Sequence, residues 1–191
     1  MVFPTIISRV FDPFIGIMVL FGIAAVRNGI VGWDLVRLLG IIFILAFVPP
    51  LLLLFISVKA KLLSNWDISD RKQRVWALSV FLLFLFADYF ILSFFGTALI
   101  HMVFRYLLFL FLGFFLITLR TKISGHMLAA TTVVCFLVYW YGWIAIPLVL
   151  FLPLIAWSRL KLKRHTLSEV IWGVVYPVVF FSIFRYFNLI V

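Results

Sequence analysis

The sequence predicts an all-α fold, a polytopic transmembrane helical bundle of six to seven spans arranged as a single transmembrane domain over residues 1–191. Hydrophobic residues fill 67% of the 191 positions and charged residues only 12%, far from the roughly 45–50% apolar and 25% charged of soluble domains. The mean hydropathy is +1.31. At roughly 20 apolar residues per crossing there is room for these spans and little else, so chemistry falls to short loops and helix ends.

The elements follow in order. Residues 11–26 form a short first span, for which a tilted, interfacial or re-entrant course is open. Arg9 and Asp12 flank it and no cleavage site follows, so it reads as a retained span and not a removed signal peptide. Residues 35–58 form the second span and carry Pro49-Pro50, a pair that removes two backbone donors and predicts a kink. The polar stretch 59–74 holds five basic and two acidic residues and reads as a loop or short surface helix. Residues 75–95 and 98–119 make a helical hairpin closed at Gly96-Thr97. Asp88 and Arg105 are about equally far from that turn, at similar depth. They are expected to pair, as a clamp or a relay, because a lone charge within the bilayer costs about 2.5–3.5 kcal/mol. Residues 127–141 form the fifth span, ending in an aromatic belt of Tyr139, Trp140, Tyr141 and Trp143. A short sixth span, 144–157, contains Pro147 and Pro153, and a last span, 170–188, contains Pro177. A single cysteine, Cys135, excludes a disulfide framework.

The formal net charge is +10. In so apolar a chain this points to an anionic lipid surface or an anionic substrate, not to nucleic acid. Counting crossings places three polar islands, 59–74, 120–126 and 158–169, on one face. With Arg9 that face carries 12 of the 16 basic residues, which makes it cytoplasmic by the positive-inside rule in an integral protein of the cell (inner) membrane.

The island Ser158–Glu169 gathers Arg159, Lys161, Lys163, Arg164, His165 and Glu169. His165 and Glu169 are four apart and share a helix face if the segment is entering a helix. The island before it holds Ser124, Gly125 and His126, where the start of a span offers backbone N–H groups and a positive dipole end. These residue types suit phosphoryl transfer, which needs cationic and N–H donors around the equatorial oxygens. A histidine held in one tautomer by a carboxylate can attack phosphorus, and a second histidine can protonate the leaving oxygen. Arg159 supplies a bidentate contact that a lysine does not. A metal site built from His126, His165 and Glu169 is open by ligand type, but the surrounding arginines argue against a cation there.

Ser158-Arg159, five residues, His165, three residues, Glu169 resembles the third motif of the type 2 phosphatidic acid phosphatase (PAP2) superfamily, with Glu in place of Asp. Ile123-Ser124-Gly125-His126 resembles its second motif, Pro-Ser-Gly-His, without the proline. The resemblance covers roughly residues 59–188 as a PAP2-like core and leaves two additional spans within 1–58 unplaced. It implies that His165 is the nucleophile of a phosphohistidine intermediate, Glu169 its orienting carboxylate and His126 the general acid, with Arg159, Ser124 and Gly125 holding the phosphate. The first motif, Lys, six residues, Arg-Pro, is degraded. Arg74 takes its Arg position, Asp67 and Val75 stand at its Lys and Pro positions, and Lys72 or Arg71 are candidate replacements for the lost cation. The expectation is a membrane lipid phosphatase without metal or cofactor, acting on a phosphorylated lipid such as phosphatidic acid, phosphatidylglycerophosphate or a polyprenyl phosphate or diphosphate. The alternatives are a lipid phosphotransferase using the same site and a non-catalytic transporter or flippase of anionic lipid.

Overall fold

The computed structural model describes residues 2–63, 68, 70–92, 94 and 97–190. Among the described residues every regular element is helical: α1 (Val2–Val10), α2 (Pro13–Arg27), α3 (Gly32–Ile42), a π-helical turn (Phe43–Phe47), α4 (Val48–Lys59), α5 (Arg71–Leu92), α6 (Ala98–Thr118), α7 (Gly125–Tyr141), a 3₁₀ segment (Gly142–Leu150), α8 (Phe151–Lys161) and α9 (Leu167–Tyr186). Among the described residues six stretches are long and apolar enough to cross a membrane: Val2–Arg27, Gly32–Lys59, Arg71–Leu92, Ala98–Thr118, Gly125–Lys161 and Leu167–Tyr186. The protein is an all-α integral membrane bundle. Trp172, Val175, Val179 and Ile183 leave one apolar face of α9 exposed, a face that suits lipid and would be a liability in water.

The 37-residue stretch Gly125–Lys161 is two arms and not one long rod. Met127 packs in one core cluster with Leu152, Ile155 and Val170, whereas about 25 residues of straight helix would separate Met127 from Leu152 by roughly 37 Å. The reversal begins at Gly142, which caps α7 with φ 63° and ψ −141°. It continues through nine residues of 3₁₀ helix around Pro147, longer than the usual three or four. The span expected at 144–157 is therefore the returning arm, extended at both ends.

The chain divides into two compact units, one formed by Met1–Leu20 with Lys122–Ile190 and the other by Phe21–Thr121 with residue 191. In the first unit α7 and α9 run parallel. Ser124 N donates to Glu169 O at 2.9 Å near their starts, and farther along the Phe136 and Phe181 rings lie 5.1 Å apart, edge to face. The crossing is close because α9 carries Gly173, where a Cβ would lie 2.8 Å from Met127 Cβ and 2.9 Å from Ser124 O. Helix α1, which the sequence leaves unassigned, lies antiparallel on α8. Phe3 meets Trp157 with ring centroids 6.0 Å apart, and Phe11 meets Phe151 at 5.4 Å. The break after α1 follows from Asp12-Pro13, where Asp12 Oδ1 accepts from Phe14 N at 3.0 Å and proline takes the first position of α2.

In the second unit α6 carries the core, with Ile100, Val103, Phe104, Leu107 and Leu110 buried and Phe104 4.4 Å from the Phe21 ring. It packs against α5 through the Phe81–Phe111 pair at 4.9 Å; Gly96 of the expected hairpin turn lies outside the described residues. The Pro49-Pro50 pair sits in the first turn of α4, where proline needs no donor, and the π-helical turn just before it absorbs the interruption.

The expected Asp88–Arg105 ion pair is not formed. Asp88 is buried on α5 and its Oδ2 has no hydrogen-bond partner, while Arg105 on α6 makes other contacts. Equal distance from a turn sets equal depth, but two side chains meet only if both helices also turn them to the shared face.

The reversal at Gly142 rests on backbone freedom, since a Cβ there would meet nothing within 4 Å. Gly142→Ala is expected to lower stability by about 1–3 kcal/mol through its backbone alone, read as a shift in the denaturant midpoint in mixed micelles.

Candidate active site

The candidate site is built where α8 stops and α9 starts. Helix α8 ends in a Schellman motif: Lys163 N donates to Leu160 O at 2.9 Å, Arg164 N to Arg159 O at 3.1 Å, and Lys163 takes the left-handed conformation at φ 54°. Three residues later Thr166 caps α9. Its hydroxyl accepts from Glu169 N at 3.3 Å, and Glu169 Oε2 accepts from Thr166 N at 3.4 Å, closing a capping box. His165 is the residue held between these two devices. The five residues between Arg159 and His165, and the three between His165 and Glu169, are the length of chain needed to stop one helix and start the next.

Glu169 also reaches His165. Its Oε2 lies 2.6 Å from His165 Nδ1, and the histidine is buried. The pair does not form across one helix face, because His165 precedes the cap of α9; it forms because the capping box turns the carboxylate back toward the loop. The other oxygen, Oε1, is 3.8 Å from Lys122 Nζ. With Nδ1–H directed at the carboxylate, a neutral ring carries its lone pair on Nε2.

The island before α7 joins the same unit. Ser124 is the fully buried cap of that helix, its hydroxyl accepting from Met127 N at 3.4 Å. The Ser124 N–H, expected among the phosphate donors, is committed to Glu169 O at 2.9 Å. That bond fixes α7 to α9 and takes the Ser124 N–H out of the donors that the start of α7 offers to a ligand. Arg159, the largest of the fully buried side chains, lies in the last turn of α8, where a cation complements the negative end of the helix dipole.

Sequence reasoning missed one member. Ser8 of α1 is buried, and its Oγ accepts from Arg159 Nη1 at 2.6 Å and stands 3.5 Å from His126 Nε2. Next to it Ser158 Oγ donates to Pro4 O at 2.7 Å. No motif marks Ser8; the one available signal is the i, i+4 spacing of Pro4 and Ser8 on the inward face of a mostly apolar helix.

The three cations near the degraded motif, Arg71, Lys72 and Arg74, belong to the second unit. There Arg71 Nη1 donates to Leu119 O at 2.6 Å and to Arg120 O at 3.2 Å, closing the C-terminal end of α6. Arg74 is buried and donates through Nε to Ile68 O at 3.2 Å, and Lys72 is exposed. Asp67 lies outside the described residues.

Two substitutions probe this scaffold. Gly173→Ala is expected to push the start of α7 away from α9 and to cost about 1–3 kcal/mol, measured as reversible unfolding in micelles. Lys163→Gly relieves the left-handed position and is expected to stabilise by about 0.5–1 kcal/mol in the same measurement. Comparison of the chain with protein-family models, with curated proteins and with solved structures finds no match in any of the three.

Proposed function

We propose that the protein is an integral membrane lipid phosphatase, resembling the PAP2 superfamily in its chemistry, that hydrolyses a lipid phosphomonoester or diphosphate through a phosphohistidine. The observation that carries this reading is the 2.6 Å contact between His165 Nδ1 and Glu169 Oε2, in the unit that also holds Arg159, His126 and the start of α7.

The residues divide the work in this reading. Glu169 accepts the Nδ1–H of neutral His165 and leaves Nε2 to attack phosphorus. As the P–N bond forms, the P–O bond to the lipid breaks and His126, protonated, gives its proton to the departing oxygen. Neutral His126 then takes a proton from water, the water oxygen attacks phosphorus, the P–N bond breaks, and inorganic phosphate leaves with His165 restored. Arg159 and the N–H groups of Gly125 and His126 balance the charge on the equatorial oxygens throughout. Positive charge and polar loops at one membrane surface, with apolar spans below, suit a substrate whose head enters a cationic site while its tail stays in lipid. The basic residues beside the site favour the cytoplasmic face for it.

His165→Ala is expected to abolish phosphate release from a panel of phosphorylated lipids, and orthovanadate, which mimics five-coordinate phosphorus, to inhibit the wild type. Acid-labile phosphate trapped on the wild-type chain, and absent from His165→Ala, identifies the intermediate. Full activity in a folded His165→Ala protein overturns the reading, and release that rises on adding a lipid acceptor redirects it to phosphotransfer.

A further inference from the structure

Ser8 lies 151 residues before Arg159 and 118 before His126 in the chain, yet one oxygen atom joins it to both. Helix α1 turns Pro4, Ile7 and Ser8 inward, and the Ser158–Pro4 hydrogen bond and the Phe3–Trp157 contact fix its register on α8. Ser8 Oγ is therefore delivered to a set position: 2.6 Å from the guanidinium and 3.5 Å from the imidazole Nε2.

That position has a chemical meaning. An oxygen that is held by Arg159 and takes a proton from His126 must lie within hydrogen-bond reach of both groups, and Ser8 Oγ is such an oxygen. Since Arg159 donates to Oγ, the serine O–H proton goes to an acceptor, which is His126 Nε2 when that nitrogen carries no proton and a phosphoryl oxygen when the imidazole is protonated. A hydroxyl donates and accepts by rotation about its C–O bond, so the same group holds the guanidinium in the resting site and donates to a phosphoryl oxygen when one arrives.

We infer that Ser8 is a phosphoryl-oxygen ligand and positioning residue of the site, supplied by the N-terminal helix and holding Arg159 and His126 about one oxygen atom. This inference rests on the phosphatase reading for the identity of the ligand as an oxyanion. It places the first helix within the reacting unit instead of among additional spans.

The test is orthovanadate binding to the purified full chain in detergent micelles, followed calorimetrically for wild type, Ser8→Ala, Ser8→Thr, Ser8→Cys and Lys161→Ala. Loss of a hydrogen bond to a charged group predicts a fall of about tenfold or more in affinity for Ser8→Ala, with Ser8→Thr restoring it to within about threefold of wild type by the same hydrogen bond. Lys161→Ala is expected to bind as wild type. If Ser8→Ala does not fold, judged by its helical circular dichroism, Ser8→Cys takes its place: it keeps the volume of the side chain but weakens the hydrogen bond. Wild-type affinity in folded Ser8→Ala or Ser8→Cys overturns the role of Ser8 and leaves the phosphatase reading standing. A wild-type chain that does not bind vanadate overturns both, and failure of Ser8→Thr to restore binding reduces Ser8 to a packing residue.

Discussion

Glu169 is the residue on which the candidate site depends. Its backbone carbonyl receives Ser124 N from the start of α7, one carboxylate oxygen faces Lys122, and the other meets both Thr166 N and His165 Nδ1. Four residues, two from the chain before α7 and two from the turn before α9, thus converge on one residue in the first turn of α9. A carboxylate is favoured there in any case, because the positive end of the helix dipole stabilises it. The same charge that starts the helix also orients the histidine, so the scaffold and the chemistry are not separable at this position.

That convergence explains how much of the site was legible in the sequence. The all-α membrane class follows from composition, and the spans follow from apolar runs broken by polar islands. His165 and Glu169 stand out because a histidine and a carboxylate at this separation beside a bilayer have few structural uses. The reason for their contact was not legible, since it depends on a capping box and on a Schellman turn whose left-handed residue is Lys163 and not glycine. Lys61 and Asn188 end α4 and α9 with positive φ in the same way, and no glycine announces those turns either.

The misses have physical causes of the same kind. The depth of Asp88 and Arg105 is a one-dimensional property read along the chain, whereas their pairing depends on rotation about two helix axes. Ser8 is invisible because a lone serine in an apolar helix is compatible with many environments, and only the register of α1 on α8 selects one. The Ser124 N–H was expected to face a ligand because it begins a helix; a parallel neighbour at the distance allowed by Gly173 claims it first.

The parallel pairing of α7 and α9 bears on how the protein is made. Two parallel helices cannot be joined by a short turn, so the 3₁₀ segment and α8 must cross back before α9 can find its place. Arg159, on α8, precedes α9 in the chain and follows α1, which carries Ser8. The Ser8–Arg159 contact, between α1 and α8, gives the returning arm a polar partner that does not depend on α9. Helix α1 thus acts as an internal escort for a buried cation.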